Sequence, residues 1–143
     1  MGSTFRESLF RRLEVTLRFA DLTRIFELSD PVTTATAFFA EAFGTGVLAF
    51  VIFCLTNPKS DVQVKKVFVP PLIGATVGAL ICVIAPLTQA GFNPARDFGP
   101  RIVAWLAGWK GVAFTKWWLY VLAPVVGAPI GAALAEKLLN NET

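Results

Sequence analysis

Histidine is missing from this 143-residue sequence, and cysteine occurs only at Cys54 and Cys82, each inside a long apolar run. Zinc sites need several imidazole or thiolate ligands, and disulfide frameworks need more cysteines, so we expect neither. The absence of histidine also removes the commonest general base, while Glu41 and Asp97 have no nucleophile or metal partner beside them. The sequence therefore predicts no enzyme, no metal and no cofactor.

Long basic runs are also missing, although 13 Lys and Arg against 10 Asp and Glu give a net charge of +3. Proteins that bind nucleic acid concentrate positive charge in a patch or stripe, often between aromatic side chains. Here the basic residues are scattered along the chain. We therefore expect no nucleic-acid partner.

Apolar residues are abundant, at 55% of the chain, and the mean hydropathy of +0.61 is unusual for a soluble domain. Three stretches are long enough to cross a bilayer, at residues 35–55, 67–87 and 117–139, the second closed by Pro86. A fourth stretch, residues 93–106, extends roughly 20 Å at ~1.5 Å per residue and is too short to span. The sequence predicts an all-α integral membrane protein with three transmembrane helices and one re-entrant half-helix, in contact with the lipid bilayer.

The start of the half-helix is well marked. Asn93 is a favoured N-cap, and Pro94 suits the first helical position, where an N–H group is not needed. Arg96 and Asp97 follow in the first turn, between long apolar runs, which fits a helix that begins inside the membrane next to water. Residues 88–92 are too few to leave the membrane, so their irregular backbone has to line a cavity or be buried in protein.

Glu41 is the one charged residue in the first span. A carboxylate at that depth costs a few kcal/mol unless it faces protein or water, so we expect it to point inward and accept hydrogen bonds. The favoured interpretation is structural, with Glu41 holding irregular backbone around the half-helix. Proton transfer is the less favoured alternative, because no second buried acid or histidine forms a relay. In the second span, Gly74 and Gly78 have the spacing of a small-residue packing face.

Residues 1–30 differ from the rest in being charged and aromatic. At 100° per residue their apolar side chains form two offset stripes. One stripe is Phe5, Leu9, Leu13 and Leu17, and the other is Val15, Phe19, Leu22 and Phe26. An amphipathic helix at the membrane interface and a helix that docks another subunit through residues 1–28 both fit this pattern. We divide the chain into this segment, a transmembrane domain at 31–139 and a polar tail at 140–143.

Residues 93–101, with the sequence NPARDFGPR, follow TQAGF and precede a segment ending in AWLAGW. This run resembles the second asparagine-proline-alanine loop of the aquaporins, or major intrinsic proteins. The resemblance covers about residues 35–138 and implies the second half of their inverted-repeat fold. Asp97, Arg101 and Pro124 are more similar to the glycerol-conducting branch than to the water-only branch.

The resemblance also implies roles for individual residues. Asn93 would donate a hydrogen bond to a passing solute, and Arg96 would bind solute hydroxyls and exclude cations. The alternative for Arg96 is a structural bond to Asp97 or to a carbonyl. The implied pore-motif residues are Asn93, Pro94 and Ala95, the implied selectivity-filter residues are Arg96, Ala90 and Ile81, and the implied structural polar residues are Glu41 and Asp97.

Members of that family carry two such halves, whereas this sequence shows one. Three hypotheses follow: pairing with an inverted second copy, pairing with a complementary half-chain, or a non-conducting structural subunit of a larger membrane complex. The first two would give a half-channel for water or small neutral solutes such as glycerol. Basic residues near the spans number five on one side, Arg18, Arg24, Arg101, Lys110 and Lys116, and four on the other, Lys59, Lys65, Lys66 and Lys137. Five against four is too even to predict an orientation.

Overall fold

The computed structural model describes residue 28, residues 31–60 and residues 64–141. Every regular element within these ranges is helical. The elements are α1 (Thr34–Thr56), a 3₁₀ turn (Lys66–Phe68), α2 (Val69–Thr88), α3 (Pro94–Leu106), α4 (Lys110–Ala113) and α5 (Trp117–Asn141). The predicted N-terminal segment, residues 1–30, lies outside the described residues apart from Leu28, as do the last two residues of the predicted tail.

Three helical segments are long and apolar enough to cross a bilayer, at 23, 23 and 24 residues. At ~1.5 Å per residue each reaches about 35 Å, which exceeds a hydrocarbon core of ~30 Å. By contrast, α3 has 13 residues and extends roughly 20 Å. The predicted all-α membrane fold, with three spans and one shorter helix, is confirmed.

Prolines lie inside two of the three spans. Pro86 does not close the second span, because α2 continues through it to Thr88. A proline removes one backbone donor, and here the loss falls in the last turn, where few hydrogen bonds remain to be broken. Similarly, α5 runs through Pro124 and Pro129 and extends to Asn141, two residues into the predicted tail.

The tightest helix contact lies between α1 and α5, along a row of small residues that we call the glycine seam: Ala42, Gly46, Gly127 and Gly131. A Cβ atom at Gly127 would overlap the carbonyl of Ala42, and one at Gly131 would overlap the carbonyl of Gly46. The two backbones therefore touch directly. Because lipid is as apolar as the side chains, such close packing is the main source of attraction between helices in a bilayer.

Helix α2 is covered on one side only among the described residues. It buries Ile84 and Thr88 towards the rest of the structure. A Cβ atom at Gly74 or Gly78 would meet no atom within 4 Å, so the predicted packing face has no neighbour in the described part of the chain. Exposed large apolar side chains are spread over all three spans, including Phe39, Phe43, Val83, Leu122, Ile130 and Leu134. Such surfaces face lipid or another helix, as expected of an integral membrane protein.

The buried side chains form small clusters around the irregular segment between α2 and α3. One cluster consists of Ile84, Ala90 and Phe92, with Ile81 packed against it. A second consists of Ala37, Leu119 and Tyr120, with Leu28 packed against it. Together they place residues 89–93, and with them the start of α3, between α1, α2 and α5.

Candidate functional site

The start of α3 is built as the sequence predicts. Asn93 is the N-cap residue, in an extended conformation, and Pro94 occupies the first turn. The Oδ1 atom of Asn93 accepts hydrogen bonds from the backbone N–H groups of Ala95 at 2.9 Å and Arg96 at 3.4 Å. Capping occupies the oxygen and leaves the amide Nδ2 as a donor with no acceptor among the described residues. Asn93 is exposed, so this donor is accessible.

The five residues before α3 adopt an unusual backbone. Gln89, Ala90 and Phe92 have φ angles of 65°, 55° and 53°, in the left-handed region that favours glycine. Each such residue costs roughly 1–3 kcal/mol, so the surrounding structure has to hold the loop in this shape. The sequence offers no local signal for this conformation, because none of the three residue types is glycine or asparagine.

Glu41 holds this loop from α1. Its side chain is fully buried, and Oε1 accepts hydrogen bonds from the Thr88 hydroxyl at 2.5 Å and from the Gly91 N–H at 2.9 Å. Its other oxygen, Oε2, accepts from the Phe92 N–H at 2.8 Å. Three donors on one carboxylate offset much of the cost of burying it, since hydrogen bonds to charged groups are the stronger ones.

Tyr120 holds the same loop from α5. Its hydroxyl donates to the carbonyl oxygen of Thr88 at 2.8 Å, and its ring lies where a side chain at Gly91 would be, 2.8 Å from that Cβ position. We call Glu41, Thr88, Gly91, Phe92 and Tyr120 the polar clamp. The clamp joins α1, the end of α2 and α5 around the left-handed segment.

Arg96 lies in the first turn of α3 and is exposed. Its Nη1 atom donates to the carbonyl oxygens of Ala90 and Gly91, at 2.5 and 3.1 Å. Arginine carries five N–H donors, so its Nε and Nη2 groups are left without an acceptor among the described residues. The clamp therefore fixes Arg96 indirectly, because it fixes the two carbonyls that the guanidinium binds.

Asp97 pairs with Arg101 rather than with Arg96. The Nε atom of Arg101 donates to Asp97 Oδ2 at 2.5 Å, one helical turn away. Its Nη1 atom donates to the carbonyl oxygens of Ala113 and Thr115, at 2.9 and 3.0 Å, in the connection after α3. The alternative in which Arg96 bonds Asp97 is therefore wrong, and the alternative in which it bonds carbonyls is what the structure contains.

The burial of Arg101 was not predicted from the sequence. It counted as a basic residue near the membrane surface, whereas its side chain is fully buried and lies 5.2 Å from the centroid of the Tyr120 ring. The signal available in the sequence was the spacing of Asp97 and Arg101, which places opposite charges on one face of a helix. Because Arg101 is buried, it should not be counted among the five basic residues at that membrane surface.

The two remaining predicted filter residues lie close to this loop. Ala90 is fully buried, and its carbonyl group binds Arg96. Ile81 is partly buried on α2, against the cluster that contains Ala90. The structure thus brings Arg96 and Ala90 together through the Ala90 carbonyl oxygen, whereas it shows no contact between Ile81 and Arg96 among the described residues.

A cavity of about 240 Å³ opens beside Arg96, on the side of the loop that faces Asp97. Its lining is Thr88, Gln89, Gly91, Arg96, Asp97, Pro100 and Tyr120. Most of these residues carry polar groups, in a chain whose other exposed surfaces are largely apolar. Arg96 and Asp97 thus place charged groups in a cavity at the start of a short helix.

The sequence profile of the family described as "Major intrinsic protein" matches residues 2–135. A glycerol uptake facilitator protein of Escherichia coli K12 is 40% identical over 111 residues, which cover 73% of this chain and 39% of the relative.

Two other relatives are a propanediol uptake facilitator of Citrobacter freundii and aquaglyceroporin-2 of Rhizophagus irregularis. The first is 38% identical over 103 residues, covering 68% of this chain and 38% of the relative. The second is 35% identical over 107 residues, covering 72% and 34%. The chain thus spans less than two fifths of the length of these curated relatives.

Proposed function

The chain belongs to the major intrinsic protein family, and we propose that it forms one half of a membrane pore that passes water or small neutral solutes such as glycerol. The observation that carries the proposal is that Asn93 and Arg96, at the start of α3, are both exposed, with the Arg96 guanidinium bonded to two carbonyl groups of the clamped loop. Members of this family are channels and not enzymes, so family membership confirms both the membrane location and the exclusion of catalysis.

Asn93 is the proposed donor to the solute in the middle of the pore. Its oxygen is committed to capping α3, so its Nδ2 atom can only donate, and the oxygen of water or a polyol is the matching acceptor. The aligned peptides of α3 add partial positive charge at this end of the helix. Donor groups and positive potential together admit neutral solutes and repel cations. Pro94 and Ala95 set the start of the helix that presents the amide.

Arg96 is the proposed charged member of the selectivity filter. Two carbonyl groups hold one end of its guanidinium, so the remaining N–H groups are presented in a fixed fork that matches paired hydroxyl groups. Ala90 contributes the carbonyl that orients Arg96, and Ile81 contributes apolar surface for the carbon chain of a polyol. The names of the relatives, glycerol and propanediol uptake facilitators, agree with a solute of this class.

Glu41 and Asp97 are proposed to be structural. Both oxygens of Glu41 accept hydrogen bonds from the loop, so its role is to hold the loop backbone in place. Asp97 neutralises Arg101 within α3 and thereby leaves Arg96 as the charge available to solute.

A second half is needed to close a pore of this kind. The described helices contribute one asparagine-proline-alanine loop, and α2 carries an uncovered face at Gly74 and Gly78 that allows another helix to approach closely. We propose that an inverted second copy of this chain or a complementary half-chain packs there. Docking of further subunits through residues 1–28 stays a prediction, as does the division of the chain at residues 30 and 139.

The test is stopped-flow light scattering of vesicles that contain the purified chain, alone or together with the first half of a glycerol facilitator. Sucrose and glycerol gradients report water and glycerol flux. We expect flux above that of empty vesicles in at least one preparation, lost in Asn93→Asp and Arg96→Ala. Lys110→Ala is the matched control, since Lys110 is an exposed cation outside the proposed site.

Flux equal to that of empty vesicles in both preparations, with folding verified by circular dichroism, would contradict conduction and favour a non-conducting structural subunit. Flux that persists unchanged in Asn93→Asp and Arg96→Ala would reject the site while keeping the channel.

A further inference from the structure

A second cavity lies at the far end of the bundle from α4, where α1 ends, α2 begins and α5 ends. It has a volume of about 430 Å³. The loop that forms it is joined to α5 by a hydrogen bond of 3.3 Å from Lys59 Nζ to Asn140 Oδ1. Since one end of each of the three spans lies here, the cavity is at the boundary between hydrocarbon and water.

The cavity has a polar wall and an apolar wall. Its polar lining is Thr56, Asn57, Ser60 and Lys66, and its apolar lining is Leu55, Pro58, Val64, Val69 and Pro70. Next to the apolar wall, Val67 and Phe68 on the 3₁₀ turn are 72% and 56% exposed. A molecule bound in this cavity would therefore contact polar and charged groups on one side and an apolar surface on the other.

Positive charge dominates the described residues of the loop around the cavity, 57–60 and 64–66. Residues 57–66 contain Lys59, Lys65 and Lys66, and the single acid of that segment in the sequence is Asp61. The three lysines are exposed. On α5, the exposed residues Glu136 and Lys137 follow one another and carry opposite charges. The net charge near the cavity therefore comes from the lysines of the loop.

We propose that this cavity binds the phosphate head group of an anionic phospholipid such as phosphatidylglycerol. Lys65 and Lys66 hold the phosphate, and the acyl chains lie along Val67 and Phe68. Basic pockets between span ends are suited to anionic lipid head groups, and each lysine near the surface contributes about 1 kcal/mol. A free phosphate ion would make no use of the apolar wall, which is why the structure favours a lipid.

The test counts the lipids that stay bound to the full chain in native mass spectrometry. The protein is released from vesicles of equal parts phosphatidylglycerol and phosphatidylcholine. We expect retention of phosphatidylglycerol over phosphatidylcholine, reduced about fivefold by Lys66→Gln and further by adding Lys65→Gln. Lys110→Gln with Lys116→Gln is the matched control on the opposite side of the membrane, and it should leave retention unchanged.

Equal retention of the two lipids, or equal loss in both pairs of variants, would overturn the proposal. A second arm separates lipid from free phosphate: inorganic phosphate is added in large excess, and we expect it not to displace phosphatidylglycerol. Displacement by inorganic phosphate would show a phosphate site and reject the lipid. Val67→Ser with Phe68→Ser should lower retention while all lysines remain, and unchanged retention there would also reject it. No readout depends on solute flux.

Discussion

The polar clamp and the glycine seam hold the same helices by opposite means. In the seam, α1 and α5 approach because side chains are missing at Gly127 and Gly131, and backbone meets backbone. In the clamp, α1 reaches the loop through one buried carboxylate that accepts three hydrogen bonds. The seam joins two regular helices, whereas the clamp stabilises a backbone that would not keep its shape alone.

The difference separates fold from function. A bilayer supplies no water to replace a lost hydrogen bond, so polar contacts at this depth are used where an irregular shape is required. The seam needs no such contacts, because helices satisfy their own backbone groups. Asn93 and Arg96 depend on the clamped loop for their positions. Damage to the clamp should therefore affect the proposed site, and damage to the seam should affect assembly of the bundle.

The largest effect is expected from removing the acceptor at the centre of the clamp. Glu41→Leu leaves three buried donors without a partner, at roughly 1–3 kcal/mol each, so it should lower the free energy of unfolding by roughly 3–9 kcal/mol. Glu41→Gln keeps one oxygen acceptor and should cost clearly less. Titration of the purified chain with SDS in mixed micelles, followed by circular dichroism, measures both. Equal damage from the two variants would mean that the charge itself is required.

A second comparison uses the two arginines of α3. Arg101 is buried and paired with Asp97, so Arg101→Ala leaves a carboxylate without its cation and should cost about 3–5 kcal/mol of stability. Arg96 is exposed and donates two hydrogen bonds to loop carbonyls, so Arg96→Ala should cost less, roughly 1–2 kcal/mol. The same SDS titration checks both values. A larger loss in Arg96→Ala than in Arg101→Ala would reverse the assignment of structural and solute-facing charge.

A smaller effect is expected in the seam. Gly131→Ala forces a methyl group against the Gly46 carbonyl and should destabilise the chain by about 1–3 kcal/mol, since the two helices have to move apart. Gly74→Ala is the matched control when both variants are measured in the monomeric chain, because a methyl group there meets nothing within 4 Å in that chain. Alanine favours a helix more than glycine does, so helix propensity alone would stabilise both variants. Similar losses in the two variants would contradict a specific effect of the seam.

The fold followed closely from the sequence, because the length and hydropathy of a span are local properties. The three spans and the start of α3 after Asn93 needed no knowledge of the rest of the structure. Pro86 was misjudged because proline only weakly opposes a helix that is about to end.

The geometry of the loop was harder to predict from the sequence. The left-handed backbone at Gln89 and Ala90 is imposed by contacts with α1 and α5, and no local preference of these residues predicts it. Burial of Arg101 likewise depends on the carbonyls of Ala113 and Thr115, which lie 12 and 14 residues away in sequence. Such long-range partners decide whether a charge is structural or available to a solute.

The most direct test of this account is glycerol flux per folded chain in vesicles that contain Glu41→Gln or Gly131→Ala, measured beside the wild type in the preparation that conducts. The account predicts that Glu41→Gln lowers flux per folded chain, because the loop that places Asn93 and Arg96 loosens. It predicts that Gly131→Ala lowers the folded fraction but leaves flux per folded chain near the wild-type value. Equal flux per folded chain in all three proteins would contradict the claim that the polar clamp positions the site.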